Sequence, residues 1–287
     1  MRGVLLMCGS MLAFTVNDTL VKAVLLDGMP LYQVIALRGM GAAIGLCLIA
    51  WQQNGRLALW PAGRDRLWLA LRTVGEVGAT WAFLLALSHM PLANLSAIMQ
   101  SLPLVVTLAA ALVLGERIGW RRITAIVVGF VGVMIIIRPG AAAFDEWSVL
   151  GLVSVGFVVL RDLATRKFST ALPATTGAIW AAVAVLIMGS IGVTQQGWYP
   201  VSMLHLAEIA GASAFLIAGY LCAIQVMRVG EISVVAPFRY TSLLFAIILG
   251  WLLFGTLPDM WTVFGGVITV ASGLFILQRQ AKVQRAG

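Results

Sequence analysis

Apolar stretches of about twenty residues, each carrying few ionisable side chains, follow one another through the whole 287-residue chain with only short turns between them. Wound as an α-helix at about 1.5 Å per residue, a stretch of that length spans the roughly 30 Å hydrocarbon layer of a bilayer. With 61% hydrophobic and 10% charged residues, the chain cannot hide its apolar surface from water by folding on itself. A soluble enzyme is thereby excluded. A porin-like barrel is excluded too, because its strands alternate polar and apolar residues instead of running apolar without a break.

Apolar runs and turn signals together predict an all-α polytopic membrane protein with helices near 3–25, 31–51, 67–88, 92–114, 119–137, 148–166, 174–194, 206–228, 232–254 and 260–278. The punctuation is Asp27-Gly28-Met29-Pro30, Pro61-Ala62-Gly63, Arg138-Pro139-Gly140, Gln196-Gly197-Trp198-Tyr199-Pro200 and Gly255-Thr256-Leu257-Pro258-Asp259. No room remains for a soluble domain. Met1 to Val21 carries an early arginine but no A-x-A cleavage site, and it is read as the first helix rather than a leader. Cys8, Cys47 and Cys222 all sit within apolar runs, at spacings that suit neither a disulfide framework nor a metal. No cofactor is implied.

The net charge of +8 is spread singly or in pairs between the apolar runs, which points to topology rather than nucleic acid. With the N-terminus in the cytoplasm, thirteen basic residues fall inside and two, Lys22 and Arg138, outside. Both termini are therefore expected to be cytoplasmic and the number of spans even. The expected location is an inner membrane.

The two halves also resemble each other. Asn17-Asp18 followed by Lys22 matches Arg161-Asp162 followed by Arg166 at an offset of 144 residues; Leu114-Gly115 matches Phe254-Gly255, and Trp120 and Gly132 match Trp261 and Gly273. Five helices per half is an odd number, so the second copy must enter from the opposite face. The predicted architecture is two inverted five-helix repeats, residues 1–140 and 141–287, the second with a short basic tail, and a substrate site near mid-membrane. Asp18 lies about 22 Å along helix 1 from its inner end, and Asp162 is at a mirror-related depth on helix 6.

An ionisable group in hydrocarbon costs at least about 2.5 kcal/mol, so those inside the spans need partners or a wet cavity. Asp18 and Arg38 are placed to pair, either as a brace between helices 1 and 2 or as an opening for a charged substrate group, with Asn17 and Gln100 nearby. On helix 3, Arg72 and Glu76 share a face four residues apart; Glu76, near mid-depth, is either braced by Arg72 or the carboxylate that couples transport to protons. Arg161 and Asp162, with Arg239 and Tyr240, form a second polar group whose excess positive charge suits a carboxylate, phosphate or polarised carbonyl. Trp81 and Tyr220 are placed to stack on a planar ligand, whereas Trp51, Trp60, Trp68, Trp147, Trp198 and Trp261 fall at the interfaces as belt anchors. Gly39, Gly41, Gly45, Gly129 and Gly132 read as packing positions, and Pro103 and Pro237 as kinks.

The ten-helix plan, the two halves, Gly115-Glu116 closing helix 4 and the Pro91 to Gln100 stretch opening it resemble the EamA branch of the drug/metabolite transporter superfamily. The resemblance implies a central cavity lined from both halves and carrier-type transport of small organic metabolites. The second half has Gly255-Thr256 in place of Gly115-Glu116, so it lacks the first half's glutamate. The Phe14-Thr15-Val16-Asn17-Asp18 opening with Lys22 looks like that of riboflavin-type or amino-acid-type members. The expected function is an inner-membrane secondary transporter working by alternating access on riboflavin or another planar aromatic metabolite, the alternative being an exporter of amino acids or related metabolites. Protons are the expected coupling ion, and the chain is expected to act as a monomer or homodimer. No GxxxxGK[ST] loop is present to bind ATP. His89 and His205, at the outer helix ends, are read as solvated residues with no ligand spacing, which argues against an enzyme. A channel would need rings of carbonyls or charges. The topology is checked with reporters: a phosphatase that works only outside the cytoplasm should be inactive when fused after Gly287 and active when inserted at Gly197, and the reverse pattern would invert the reading.

Overall fold

The computed structural model describes residues 2–54, 63–114, 119–139, 145–169, 172, 174–229 and 235–286. Gly115-Glu116, Arg117, Trp60 and Pro61-Ala62, singled out in the sequence, lie outside the described residues. The helices are α1 (Arg2–Leu26), α2 (Leu31–Asn54), α3 (Asp65–His89), α4 (Leu92–Met99), α5 (Leu102–Leu114), α6 (Trp120–Ile137), α7 (Glu146–Arg166), α8 (Ala174–Gln196), α9 (Met203–Val229), a 3-10 turn (Ala236–Tyr240), α10 (Thr241–Phe254) and α11 (Met260–Ala286). Among the described residues, ten spans are long and apolar enough to cross a bilayer, two of them built from paired segments.

Those two spans depart from the expected continuous helices. The fourth breaks at Gln100-Ser101 between α4 and α5, and the ninth opens as the 3-10 turn before α10. Proline is the physical cause: Pro103 and Pro237 lack the N–H that would close the helical ladder, and their rings crowd the preceding turn. The broken turns put Gln100 and Arg239 where neither segment is regular. Elsewhere helix ends follow local chemistry. Asp145 caps α7 by accepting from Trp147 N at 3.1 Å. Gly255 stops α10 in the left-handed region (φ 63°) with its N–H on Trp251 O at 3.0 Å. Arg138 ends α6 in the same region (φ 52°) and forms an ion pair with Asp259 across to the start of α11.

The most extensive helix contacts are α1 with α9, α3 with α7, α2 with α8, and α6 with α11. If the halves are exchanged, α1·α9 becomes α7·α3, while α2·α8 and α6·α11 map onto themselves. Packing therefore follows a twofold relation between the halves. Small residues let these pairs come close, as van der Waals contact rather than hydrophobicity holds helices together in lipid. A Cβ on Gly189 of α8 would stand 2.5 Å from Ala36 N of α2, and one on Gly75 of α3 would stand 2.7 Å from Arg161 N of α7.

The well-packed apolar core is not spread evenly. Val21, Val24, Ile35, Leu84, Leu87, Met90, Leu92, Leu95 and Ile98 are all fully buried and gather toward the end where α1 and α3 finish and α2 and α4 begin. This forms a plug at one end of the bundle, opposite the end where α1 starts, here termed the terminal face. Lys22 is buried in the plug, its Nζ donating to Leu87 O and Met90 O at 2.8 Å each and standing 5.8 Å from the Phe254 ring. These carbonyls belong to the last turn of α3 and the residue after it, where the helix dipole leaves partial negative charge that suits an ammonium group. Nearby, the Gln33 side chain donates to Tyr199 O and accepts from Tyr199 N, both at 2.8 Å, tying α2 to the segment after α8.

A packing comparison tests these contacts. Gly189→Val forces backbone apart and should cost about 1–3 kcal/mol, seen as a clear fall in Tm in detergent. Gly156→Ala, whose Cβ would meet nothing within 4 Å, should leave Tm unchanged.

Candidate functional site

Below the plug lies a cavity of about 420 Å³, within the range of small-molecule sites. α1 contributes Phe14, Asn17 and Asp18; α2 Arg38; α3 Glu76, Thr80 and Phe83; the α4–α5 break Gln100 and Pro103; α7 Ser154 and Arg161; α9 Tyr220; and the 3-10 turn Arg239 and Tyr240. Leu84 of the plug closes it on one side, while Arg239, toward the terminal face, is exposed. Five ionisable side chains of this lining, Asp18, Arg38, Glu76, Arg161 and Arg239, stand inside predicted membrane spans.

The structure brings together nine of the ten residues singled out in the sequence: Asn17, Asp18, Arg38, Glu76, Gln100, Arg161, Tyr220, Arg239 and Tyr240. The two polar groups expected at different depths share this single cavity. Trp81 is the exception and does not line it. At about 100° per residue it is turned roughly 140° from Glu76 around α3, so the cavity face carries Ala79, Thr80 and Phe83 instead. Their i, i+3, i+4, i+7 spacing from Glu76 was the sequence signal that would have selected Phe83 over Trp81.

Pairing also differs from expectation. Among the described residues no ion pair within 4.0 Å joins Asp18 to Arg38; Asp18 accepts from Asn17 Nδ2 at 2.8 Å instead. Glu76 is not left to a single brace. Arg72 Nη2 stands 4.0 Å from its Oε2 and Arg161 Nη1 3.5 Å from the same oxygen, while Arg161 Nε donates to Asp162 Oδ1 at 2.9 Å. Arg72 also donates to Gly177 O at 2.6 Å, which anchors the cluster to α8. Two guanidinium groups and two carboxylates thus offset one another in a chain Arg72–Glu76–Arg161–Asp162. Glu76 is thus shared by two arginines while it still lines the cavity.

The remaining side chains are oriented by packing. Gln100 Nε2 donates to Ser242 Oγ at 3.0 Å, linking the two broken spans. Tyr220 meets Phe14 edge-on with ring centroids 5.3 Å apart, an arrangement suited to the aromatic quadrupoles. Tyr240 lines the cavity, yet its hydroxyl is lodged against Gly273 of α11, where any added Cβ would collide with it. Outside the cavity, His205 is buried rather than solvated, at 8% exposure and 3.6 Å from Asp27. Trp147 stacks on His89 with centroids 3.7 Å apart instead of standing alone as a belt anchor. Trp51, Trp198 and Trp261 are exposed on the bundle surface as expected of belt residues. Among the described residues, no cluster of His, Cys, Asp or Glu is arranged to hold a metal ion.

Comparison with known proteins agrees with this geometry. Residues 1–138 match the EamA-like transporter family. An S-adenosylmethionine uptake transporter of Rickettsia prowazekii is 28% identical over 71% of this chain and 68% of its own. A pseudopaline exporter of Pseudomonas aeruginosa is 27% identical over 94% of each chain, and a riboflavin transporter of Vibrio cholerae 26% identical over 76% of this chain and 74% of its own. One solved structure, described only as the crystal structure of a protein, superposes with a TM-score of 0.64 at 18% identity over 97% of this chain and 98% of the other, which speaks for the fold alone. With ten apolar spans, a polar cavity and the match through residues 1–138, the chain is similar to the EamA-like transporter family.

Proposed function

We propose that the protein is an inner-membrane secondary carrier that moves a small metabolite bearing a flat ring and charged groups, by alternating access between the two faces of the bundle. The observation that carries this reading is one cavity with both acids and arginines beside Phe14, Phe83 and Tyr220, closed toward one face by an apolar plug. Relatives named for riboflavin and S-adenosylmethionine support the substrate class, since each compound contains a planar heteroaromatic ring. The relative named as an exporter supports the alternative direction. Import or export then follows the gradients across the membrane, because a carrier only equilibrates what it binds.

In this reading the two repeats are residues 1–140 and 141–287, both termini are cytoplasmic, and the structure is the inward-open state. A single chain encloses the cavity, so a monomer suffices. The coupling proton is assigned to Asp18 rather than Glu76, because Glu76 is already shared by Arg72 and Arg161. Purified protein in liposomes should show saturable counterflow of labelled S-adenosylmethionine or riboflavin. A pH gradient should accelerate net uptake by wild type and by Glu76→Gln, but not by Asp18→Asn. Glu76→Gln should lose stability instead, by about 3 kcal/mol, because it strips Arg72 of its carboxylate and leaves Arg161 with Asp162 alone. Flux that rises linearly with concentration and shows no counterflow would mark a channel and end the carrier reading.

A further inference from the structure

Once the Arg72–Glu76–Arg161–Asp162 chain is set aside, Asp18 and Arg38 remain as opposite charges facing the same cavity without touching. In a medium of low dielectric constant, two such charges attract strongly, yet no contact within 4.0 Å forms between them among the described residues. Next to them are polar atoms without a partner. Asn17 is only 2% exposed; its amide nitrogen is given to Asp18, which leaves Asn17 Oδ1 buried and unsatisfied. Arg38 Nε is likewise buried without a hydrogen-bond partner. Buried polar atoms are nearly always paired in native proteins. Here the orphans sort by type: an acceptor on α1, Asn17 Oδ1, next to the Asp18 carboxylate that takes the Asn17 amide proton, and a donor on α2, Arg38 Nε.

We infer that these three side chains form a clamp for an α-amino-acid head group, resting on the carrier reading above. The substrate ammonium is held by Asn17 Oδ1 and Asp18, and its carboxylate by Arg38. A zwitterion of that kind carries its donors and acceptors on neighbouring atoms, so it fits between the two charges and satisfies both without changing the net charge of the site. Phe14, Phe83 and Tyr220 then receive the rest of the molecule, which makes the ligand class a ring-bearing amino acid or an amino-acid conjugate. A neutral ring compound leaves both charges, on Asp18 and Arg38, without a counter-charge. Recognition of this type is steep, because an analogue lacking a hydrogen-bonding group leaves buried partners unpaired.

Ligands differing only at the head group test the clamp on the unaltered protein. S-adenosylmethionine carries the head group and 5′-methylthioadenosine keeps the ring system without it. In competition against labelled S-adenosylmethionine counterflow, methylthioadenosine should be at least about tenfold weaker. In detergent, tryptophan should raise Tm more than either tryptamine, which lacks the carboxylate, or indole-3-propionate, which lacks the ammonium. Asp18→Asn and Arg38→Gln should each raise the half-saturating concentration of S-adenosylmethionine about tenfold or more. Equal competition by methylthioadenosine, or equal thermal shifts from the three indoles, overturns the clamp. Counterflow of riboflavin alone, with no response to any zwitterion, also overturns it while leaving the carrier reading intact. If neither riboflavin nor S-adenosylmethionine exchanges, yet tryptophan alone of the indoles stabilises the protein, the clamp stands and the choice of transported substrate falls.

Discussion

Charge in hydrocarbon is the constraint on which the rest of this structure depends. Lipid offers neither hydrogen bonds nor dielectric screening, so every ionised side chain inside the bundle must find compensation from the protein, from water in a cavity or from a ligand. The chain meets this demand in three distinct ways. Arg72, Glu76, Arg161 and Asp162 compensate one another and cross-link α3 to α7. Lys22 is compensated by carbonyls at the end of α3. Asp18, Arg38 and Arg239 form no ion pair among the described residues and face the cavity. The first two arrangements build the scaffold, and the third leaves the cavity something to bind with.

The same division runs through the helices. The paired helices α3 and α7 carry the closed ion network, whereas α4–α5 and the 3-10 turn with α10 carry the breaks at Gln100 and Arg239. Discontinuous helices are a recurrent feature of transporter binding sites, since freed backbone and side-chain groups can be used on a ligand. Lys22 marks the shut end. Its ammonium grips the end of α3 within the plug, so opening that face requires two hydrogen bonds to be replaced, by water or by other carbonyls. Arg166, its counterpart in the repeat register, is exposed in the last turn of α7 at the opposite face.

Much of this was legible in the residues because the bilayer simplifies the problem. Span length, loop signals and the placement of charges reduce to the thickness of the hydrocarbon and the cost of polar groups within it, so the ten spans and nine of the cavity residues could be read from the sequence. Pairing was harder. Depth along a helix follows from counting residues, but rotation about its axis depends on packing, and that is why Trp81 was chosen where Phe83 lines the cavity. Counting also brought Asp18 level with Arg38 without showing that they stay apart, and it separated Glu76 from Arg161, whose contact depends on the close approach of α3 and α7 at Gly75. Pro103 and Pro237 signalled kinks, but not that both breaks would be joined by Gln100 and Ser242.

The central claim is that a single wet cavity between the halves opens to the terminal face and is shut at the other by the plug. Thiol accessibility measures this most directly. In a chain with Cys8, Cys47 and Cys222 replaced by Ser, Thr80→Cys reports on the cavity and Val24→Cys on the plug. A membrane-impermeant maleimide should label Thr80→Cys from the side bearing the termini, with bound substrate protecting it, and should label Val24→Cys far more slowly from either side. Labelling of Thr80→Cys equally from both sides in the absence of substrate, or from neither, would contradict the account.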